Sequence, residues 1–202
     1  AVVIAIGATN WRELSIPGRD AKGVYQAMEY LPWGNKQALG DLDDEPEINA
    51  AGKNVVILGG GDTGADCLGT AIRQGAKSVT QLEIMPRPTT ERPSDQPWPT
   101  YPMIFRVSSA HEELDNRIFG VSTEEFLGDE NGNLRALKIV ETKFVNGKFE
   151  SVPGTERELP ADFAFLAMGF TGAEKSDLLD QLEIEVDDRG NIARNGEFQT
   201  NQ

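Results

Sequence analysis

The sequence is poor in cysteine and in positive charge, and it contains no long apolar run. Its single cysteine, Cys67, excludes an intramolecular disulfide framework and a zinc site made of cysteines alone. Lysine and arginine together number 19 against 33 aspartate and glutamate residues, which gives a formal charge of −14. Because such a field repels phosphate backbones and anionic lipids, we expect no nucleic acid and no membrane among the partners.

No segment approaches the roughly 18 consecutive apolar residues that a membrane span needs. No basic-then-apolar signal pattern opens the sequence, so a reducing cytoplasm is the expected compartment. The first residues, Ala1–Gly7, form an apolar run without a leading methionine, and residues 197–202 carry no stop pattern. We therefore expect this chain to be an excised piece of a larger protein.

The clearest pattern is a strand, a glycine turn, a helix and a second strand, in that order. Residues 53–58 are an apolar run of strand type, and three glycines follow at once. Residues 62–74 carry apolar side chains near helical spacing, and Gly75 stands where a helix-ending glycine is expected. Ser78–Met85 is a second strand pattern. This order predicts a βαβ unit, with parallel strands and a right-handed crossover.

The rest of the sequence adds strands of a different kind and one irregular stretch. Two hairpin-turn pairs, Asn131-Gly132 and Asn146-Gly147, predict antiparallel strands within residues 123–149. Six prolines between Pro86 and Pro102 exclude regular helix or central strand there. The other expected elements are strands at 1–7 and 162–169, short helices at 24–31 (ended by Pro32) and 176–182, and short strands at 184–186 and 192–193.

The glycine turn fits the dinucleotide-binding pattern G-x-G-x-x-G. In that pattern Gly59 allows the tight turn, Gly61 lets a pyrophosphate approach the backbone, and Gly64 lets the helix pack close to the strand. Free N–H groups and the helix dipole then favour an anion at the helix start. The alternative is an ordinary glycine-rich turn without a ligand, but the strand before and the helix after favour nucleotide binding. Asp62 at the helix start is expected to be an N-cap carboxylate, with contact to the cofactor as the alternative.

The choice between NADPH and NADH depends on the residues that follow the second strand. Glu83 lies about 20 positions after the loop, where an acidic residue would hold the ribose 2′-hydroxyl of NADH. Arg87 and Arg92 follow in the proline-rich stretch, and two clustered guanidinium groups suit a 2′-phosphate. We expect NADPH, with the two arginines as its phosphate ligands.

No catalytic constellation accompanies the glycine turn. His111 is the only histidine, so we expect it to cap a helix or lie at the surface, with a ligand contact as the alternative. Its acidic neighbours match no metal-ligand spacing, and Cys67 is expected to be a packed core thiol. Hydride transfer needs positioning and no acid–base pair, so these absences are compatible with a redox role.

Four stretches resemble the small (beta) subunits of bacterial glutamate synthases. They are Gly59–Cys67, Ser78–Pro88, Pro97–Pro99 and Ser108–Glu113, and the resemblance covers nearly the whole chain. The wider family is that of flavoprotein reductases with two dinucleotide-binding domains. The resemblance implies an α/β fold: a Rossmann-like, three-layer NADPH-binding domain with a small antiparallel β-meander, flanked by remnants of an FAD domain.

In this family the NADPH domain is inserted into the FAD domain, and Leu166–Phe170 resembles the crossing that returns to it. The implied division is an outgoing FAD-domain strand (1–9), a linker with a short helix (10–50), the NADPH-binding domain (51–165) and the return into a truncated FAD domain (166–202). The motif and the resemblance together give these candidate cofactor-binding residues: Gly59, Gly60, Gly61, Asp62, Thr63, Gly64, Arg87, Arg92, Ala167, Met168 and Gly169.

The resemblance also implies a reaction and a partner. The intact subunit passes a hydride from NADPH to FAD, and electrons continue through iron–sulfur clusters outside this chain to the large (alpha) subunit, which forms glutamate from glutamine and 2-oxoglutarate. The first FAD glycine loop, the late Gly-Asp flavin motif and the cluster cysteines are not found in this sequence. We therefore expect the isolated chain to bind NADPH without turnover, its FAD site being incomplete.

Two alternatives remain open. One is the electron-input module of a related reductase, similar to dihydropyrimidine dehydrogenase or sulfide dehydrogenase. The other is a non-catalytic nucleotide-binding module that docks a subunit through the proline-rich stretch, which carries Trp98 and Tyr101.

Overall fold

The computed structural model of the chain describes residues 2–174 and 177–202, and it divides into two compact units. The larger unit is Leu14–Ala167, and the smaller unit contains the described residues before Leu14 and after Ala167. The larger unit contains these elements: β1 (Val24–Gln26), α1 (Ala27–Leu39), β2 (Asn54–Leu58), α2 (Asp62–Arg73), β3 (Ser78–Glu83), α3 (Ser109–Glu113), β4 (Arg117–Phe119), β5 (Val121–Gly128), β6 (Leu134–Val145), β7 (Lys148–Ser151), β8 (Arg157–Pro160) and β9 (Phe163–Leu166).

A five-stranded parallel sheet forms the centre of the larger unit, in the order β1-β9-β2-β3-β4. Strands β2 and β3 pair in parallel with α2 between them, which confirms the predicted βαβ unit. Gly75 follows the end of α2 with a φ of 81°, the left-handed conformation expected of a helix-ending glycine. Because all five strands are parallel, the carboxyl ends of β2, β3 and β9 lie at one edge of the sheet.

Helices α1, α2 and α3 form a layer on one face of this sheet. The core between them contains Tyr30 of α1, Leu68 of α2, and the alternate strand residues Val55 and Ile57. Tyr30 stacks on the ring of Phe165 in β9, with 4.0 Å between the ring centroids. Val56 and Leu58, which point to the opposite face of β2, are buried as well, so the sheet is covered on both faces.

The second covering layer is an antiparallel sheet of β5, β6, β7 and β8. The predicted turns at Asn131-Gly132 and Asn146-Gly147 join β5 to β6 and β6 to β7, so both hairpins are confirmed. The fold is therefore the predicted α/β, Rossmann-like, three-layer arrangement with an antiparallel meander. The sequence did not predict the short strands β4 and β8.

The segment around Pro32 differs from its prediction. Residues 24–26 form strand β1, in which Val24 and Gln26 are buried on alternate positions, and the helix begins only at Ala27. Pro32 lies inside α1 instead of ending it. The proline ring removes the hydrogen bond to the carbonyl of Met28, a residue that is 44% exposed.

The first residues also differ from their predicted strand. Residues 2–7 form no strand, and Val2 and Val3 are 85% and 88% exposed. No described residue forms a backbone ladder with residues 2–7, so a strand has no partner there. Residues 24–50 contribute a strand, a helix and core side chains to the larger unit. Strand β9 lies in the middle of the same sheet, which carries this unit to Ala167.

The smaller unit has little regular structure. Helix α4 (Asp177–Gln181) lies within the predicted helix at 176–182, whose first residue is outside the described part of the chain. Val186 and Ile192 form an antiparallel bridge around the predicted turn. None of the helices in the described residues has the length and apolar composition that crossing a bilayer would require.

Candidate functional site

The glycine turn lies at the carboxyl edge of the parallel sheet, between β2 and the first turn of α2. The N–H of Gly59 donates to the carbonyl of Leu82 in β3 over 2.9 Å, so the turn begins as the strand ladder ends. Gly61 is the N-cap residue of α2. The turn therefore presents the amino end of α2 at the sheet edge where ligands bind in open α/β folds.

Three glycines of the turn have the geometry that the dinucleotide pattern requires. Gly59 has a φ of 125°, which residues with a side chain rarely adopt. A Cβ on Gly64 would collide with the carbonyl oxygen of Gly59, so this position keeps α2 close to the strand. A Cβ on Gly61 would meet no atom within 4 Å, so it would point into open space beside the helix start.

The open space is lined by backbone donors. Among the described residues, none accepts a hydrogen bond from the N–H groups of Gly60, Gly61, Asp62 or Thr63, whereas Ala65 donates to Gly61 within the helix. Unpaired N–H groups at a helix start, together with the helix dipole, favour an anion. The turn can therefore accept a phosphate or pyrophosphate group.

Asp62 differs from its expected N-cap position. It is the first residue of α2, after the Gly61 cap, and its side chain makes no capping hydrogen bond. The carboxylate is exposed in the first turn, where it complements the helix dipole.

Glu83 ends β3 directly beside the glycine turn. Its carboxylate lies against Gly60, where a Cβ would collide with Oε2, and its Oε1 accepts a hydrogen bond from the N–H of Met85 over 3.0 Å. This is where an acidic residue contacts a ribose in dinucleotide-binding folds.

Arg87 stands on an aromatic ring beyond the end of β3. Its guanidinium lies 4.2 Å from the centroid of Phe105, and the guanidinium of Arg117 lies 4.4 Å from the same centroid. Arg117 is paired with Asp115 through two hydrogen bonds of 2.6 and 2.7 Å, which lower the pKa of that carboxyl group. The side chain of Arg87 makes no hydrogen bond to any residue that the structure describes, so its N–H groups can donate to a ligand.

Arg92 has a different environment from Arg87. Its Nη1 donates to the carbonyls of Gln96 and Thr100, both over 2.8 Å. These bonds hold the proline-rich stretch in one conformation. The sequence analysis treated the two arginines alike, but their surroundings differ. Arg92 is hydrogen-bonded to the backbone of its own loop, whereas the Arg87 guanidinium lies over Phe105 without a hydrogen bond to a described residue.

The three residues expected at the returning strand divide between the units. Ala167 is buried at the carboxyl end of β9, and its N–H donates to the carbonyl of Leu58, the residue before the glycine turn. Met168 and Gly169 belong to the smaller unit, where the Gly169 carbonyl accepts a hydrogen bond from the N–H of Arg12.

His111 is buried, with 5% of its surface exposed, and it is joined to the glycine turn through one side chain. Its Nε2 lies 2.8 Å from Oε1 of Gln81 in β3, and Nε2 of Gln81 donates to the carbonyl of Gly59 over 2.7 Å. On its other side, His111 Nδ1 lies 2.8 Å from the hydroxyl of Ser108. Sequence reasoning included the cap but missed the link to Gly59; the signal was a polar residue, Gln81, inside an otherwise buried strand.

Burial and the positive charge of Arg117 lower the pKa of His111 below its ordinary 6.5, although Asp115 opposes the shift. The folded protein therefore keeps His111 neutral at a pH at which the unfolded chain has bound a proton. The stability that this contributes is complete above 6.5 and is lost as the pH falls below it. We expect the unfolding temperature to drop less in His111→Gln than in the wild type between about pH 7.5 and about pH 5.5. Parallel curves for the two proteins would contradict the assigned shift.

The other reactive side chains are occupied or buried. Cys67 is fully buried in α2, and burial raises the pKa of its thiol, which agrees with the predicted core role. Glu113 pairs with Arg73 over 2.6 Å and Asp115 pairs with Arg117, so these two carboxylates beside His111 each face an arginine.

The chain matches the pyridine nucleotide-disulphide oxidoreductase family over residues 1–202. It is 54% identical to the glutamate synthase [NADPH] small chain of Mycobacterium tuberculosis, over 99% of this chain and 42% of that protein. It is 42% identical to the glutamate synthase [NADH] of Schizosaccharomyces pombe, over 96% of this chain and 10% of that protein. The chain thus spans less than half the length of these relatives, and they confirm the resemblance to glutamate synthases.

A solved structure shows the same fold. Mycobacterium tuberculosis FprA in complex with NADPH superposes with a TM-score of 0.61 at 16% identity, over 98% of this chain and 54% of that one. The family match over residues 1–202, together with the glycine turn and the three-layer fold, shows that the chain belongs to the pyridine nucleotide-disulphide oxidoreductase family.

Proposed function

We propose that this chain is the NADPH-binding part of a glutamate synthase small subunit, an oxidoreductase. The observation that carries the proposal is the glycine turn, with unpaired N–H groups around a space that a Cβ on Gly61 would enter. The small chain of Mycobacterium tuberculosis, 54% identical, is named for NADPH, which supports the same cofactor here.

The glycine turn would hold the pyrophosphate of the dinucleotide. The N–H groups of Gly60 to Thr63 would donate to its oxygens, and the dipole of α2 would stabilise its charge. Ala167, at the end of the neighbouring strand β9, lies at the same sheet edge and would border the cofactor beyond Leu58. When bound, NADPH supplies a hydride; these residues orient the dinucleotide and carry no proton.

Arg87 is the proposed ligand of the 2′-phosphate. Its guanidinium lies over the ring of Phe105 and makes no hydrogen bond to a described residue, which suits a charge-assisted contact with a phosphate. Glu83 beside Gly60 favours a second candidate, NADH, because its carboxylate is placed to bind a ribose 2′-hydroxyl. The relative of Schizosaccharomyces pombe is named for NADH, so both cofactors occur among similar proteins.

Calorimetric titration of the 202-residue chain with NADPH and with NADH tests this choice. We expect tighter binding of NADPH, and we expect Arg87→Ala to weaken it roughly 10- to 100-fold, since hydrogen bonds to charged groups contribute about 1.5–3 kcal/mol. NADH affinity should stay unchanged. Arg135→Ala, which removes the same charge from the antiparallel sheet, is the matched control. A preference for NADH that Glu83→Gln abolishes would establish the second candidate instead.

The intact subunit would pass the hydride of NADPH to FAD, and the electrons would continue one at a time from the flavin, through iron–sulfur clusters elsewhere, to a large subunit in the cytoplasm. In this proposal residues 1–9 and the segment from Met168 onward belong to the FAD domain, with Met168 and Gly169 as candidate cofactor contacts of that domain. The docking alternative is favoured by Trp98 and Tyr101, which are 82% and 74% exposed. Loss of co-purification with a large subunit in Trp98→Ala would favour that alternative, and unchanged co-purification would contradict docking at this stretch.

A further inference from the structure

We propose that His111 is a positioning residue of the glycine turn, which acts through Gln81 to aim the N–H of Gly60 at the bound pyrophosphate. The proposal rests on the proposed nucleotide-binding function. It also assigns a role to the Ser108–Glu113 segment, which lies about 50 residues after the glycine turn in the sequence.

The peptide unit between Gly59 and Gly60 has a defined direction in the structure. The Gly59 carbonyl is directed toward the start of α2, because it accepts the 2.7 Å hydrogen bond of Gln81 Nε2 and would collide with a Cβ on Gly64. In a trans peptide the carbonyl and the following N–H point in opposite directions. With the carbonyl held inward, the N–H of Gly60 points outward, into the space beside Gly61.

The orientation of the side-chain amide of Gln81 decides which of its atoms faces the Gly59 carbonyl. A primary amide can turn over and exchange its oxygen and nitrogen, which would place an oxygen against the Gly59 carbonyl and repel it. Gln81 is 1% exposed, so water cannot correct such a turn. The 2.8 Å contact from Oε1 of Gln81 to Nε2 of His111 opposes the turn, provided that Nε2 carries the proton.

The hydrogen-bond partners of His111 determine which of its ring nitrogens carries the proton. The backbone N–H of Ser108 can only donate, and it points at Nδ1 over 3.4 Å, while the Ser108 hydroxyl lies 2.8 Å from the same atom. Nδ1 is therefore the acceptor, and Nε2 carries the proton that Gln81 Oε1 accepts. The three successive hydrogen bonds therefore run in one direction: Ser108 donates to His111, His111 donates to Gln81, and Gln81 donates to Gly59.

Helix α3, which carries His111, is anchored to α2, and the segment after it is anchored to β3. Arg73 of α2 pairs with Glu113, and Ala110 packs at Gly69, where α2 has no side chain in the way. The backbone N–H of Gln81 donates to the carbonyl of Asn116, just after α3. These contacts hold the imidazole at a fixed distance from β3, which the relay to the turn requires.

Two variants separate positioning from mere burial. His111→Gln places an amide donor near the position of Nε2 and keeps the bond to Gln81, whereas His111→Asn reaches only the position of Nδ1 and keeps the contact with Ser108. We expect His111→Asn to weaken NADPH binding roughly 3- to 10-fold and His111→Gln to restore most of it. Ser78→Ala, which removes the side-chain bond to Asn54 at the other end of β3, the strand of Gln81, should leave binding unchanged.

The ¹H–¹⁵N spectra of the ligand-free chain provide a readout that does not depend on nucleotide binding. The Gly59 and Gly60 amide signals should move in His111→Asn and stay near their wild-type positions in His111→Gln. Equal shifts in both variants, or none in either, would overturn the proposal even if the chain binds NADPH.

The wild-type chain gives a further test that needs no folded variant. The ¹⁵N shifts of the imidazole should show a protonated Nε2 and an unprotonated Nδ1, and the opposite tautomer would overturn the proposal. If the imidazole and glycine signals behave as expected and NADPH still does not bind, the proposed function fails while the positioning of the turn stands.

Discussion

Replacement of Gly61 by threonine is expected to leave the fold intact and to weaken NADPH binding by roughly 10- to 100-fold. Gly61 has a φ of −82° and a ψ of −173°, an extended conformation that threonine adopts without strain. Threonine and glycine are about equally favourable N-cap residues, so α2 keeps its start. The new Cβ would occupy open space in the free protein and collide with a pyrophosphate, at a cost of about 1–3 kcal/mol for overpacking.

Two measurements together decide this prediction. The unfolding temperature should match that of the wild type, and calorimetry should show the loss of affinity for NADPH. Gly132→Thr in the β5–β6 hairpin is a useful contrast, because Gly132 has a φ of 77° and threonine should lower stability there without touching the glycine turn. Wild-type affinity in Gly61→Thr would show that the dinucleotide does not lie against this residue.

Gly64→Val is expected to have the opposite signature, a loss of stability of about 3 kcal/mol. A Cβ at Gly64 would meet the Gly59 carbonyl oxygen and the side-chain nitrogen Nε2 of Gln81, and both atoms are fixed by the surrounding packing. Since the backbone of β2 would have to move away from α2, the glycine turn should lose its geometry as well. Denaturant unfolding of the variant measures the loss.

Gly61→Thr serves as the control for Gly64→Val, since both add a β-branched side chain within the same turn. If Gly64→Val proved as stable as the wild type, the close approach of α2 to β2 would be wrong. If it were unstable but bound NADPH normally, the packing of α2 would not determine the shape of the turn.

The parts of the fold that could be predicted from the sequence are those with local causes. The βαβ unit follows from apolar periodicity and from Gly59, Gly61 and Gly64, and the two hairpins follow from Asn-Gly pairs. Each of these signals lies within a few residues of the structure that it specifies.

The incorrect predictions concern features with distant causes. Pro32 predicts a helix end from local geometry, but the packing of Tyr30 against Phe165, far away in sequence, carries α1 past it. The apolar run at the start predicts a strand, yet a strand forms only where a partner strand offers hydrogen bonds. Periodicity cannot reveal whether that partner exists.

The candidate site shows the same division. The glycine turn was predictable, whereas the link from His111 through Gln81 to Gly59 joins residues 30 and 22 positions apart. Likewise the equal weight given to Arg87 and Arg92 reflects their identical chemistry. Only Phe105 on one side and the carbonyls of Gln96 and Thr100 on the other distinguish their roles.

Titration of the ¹⁵N-labelled chain with NADPH shows whether the glycine turn holds a dinucleotide. The amide signals of Gly60, Gly61, Asp62 and Thr63 are expected to shift together and to saturate with NADPH, because these N–H groups are the proposed pyrophosphate donors. Saturating shifts confined to other residues, or no shifts at all, would contradict dinucleotide binding at this turn.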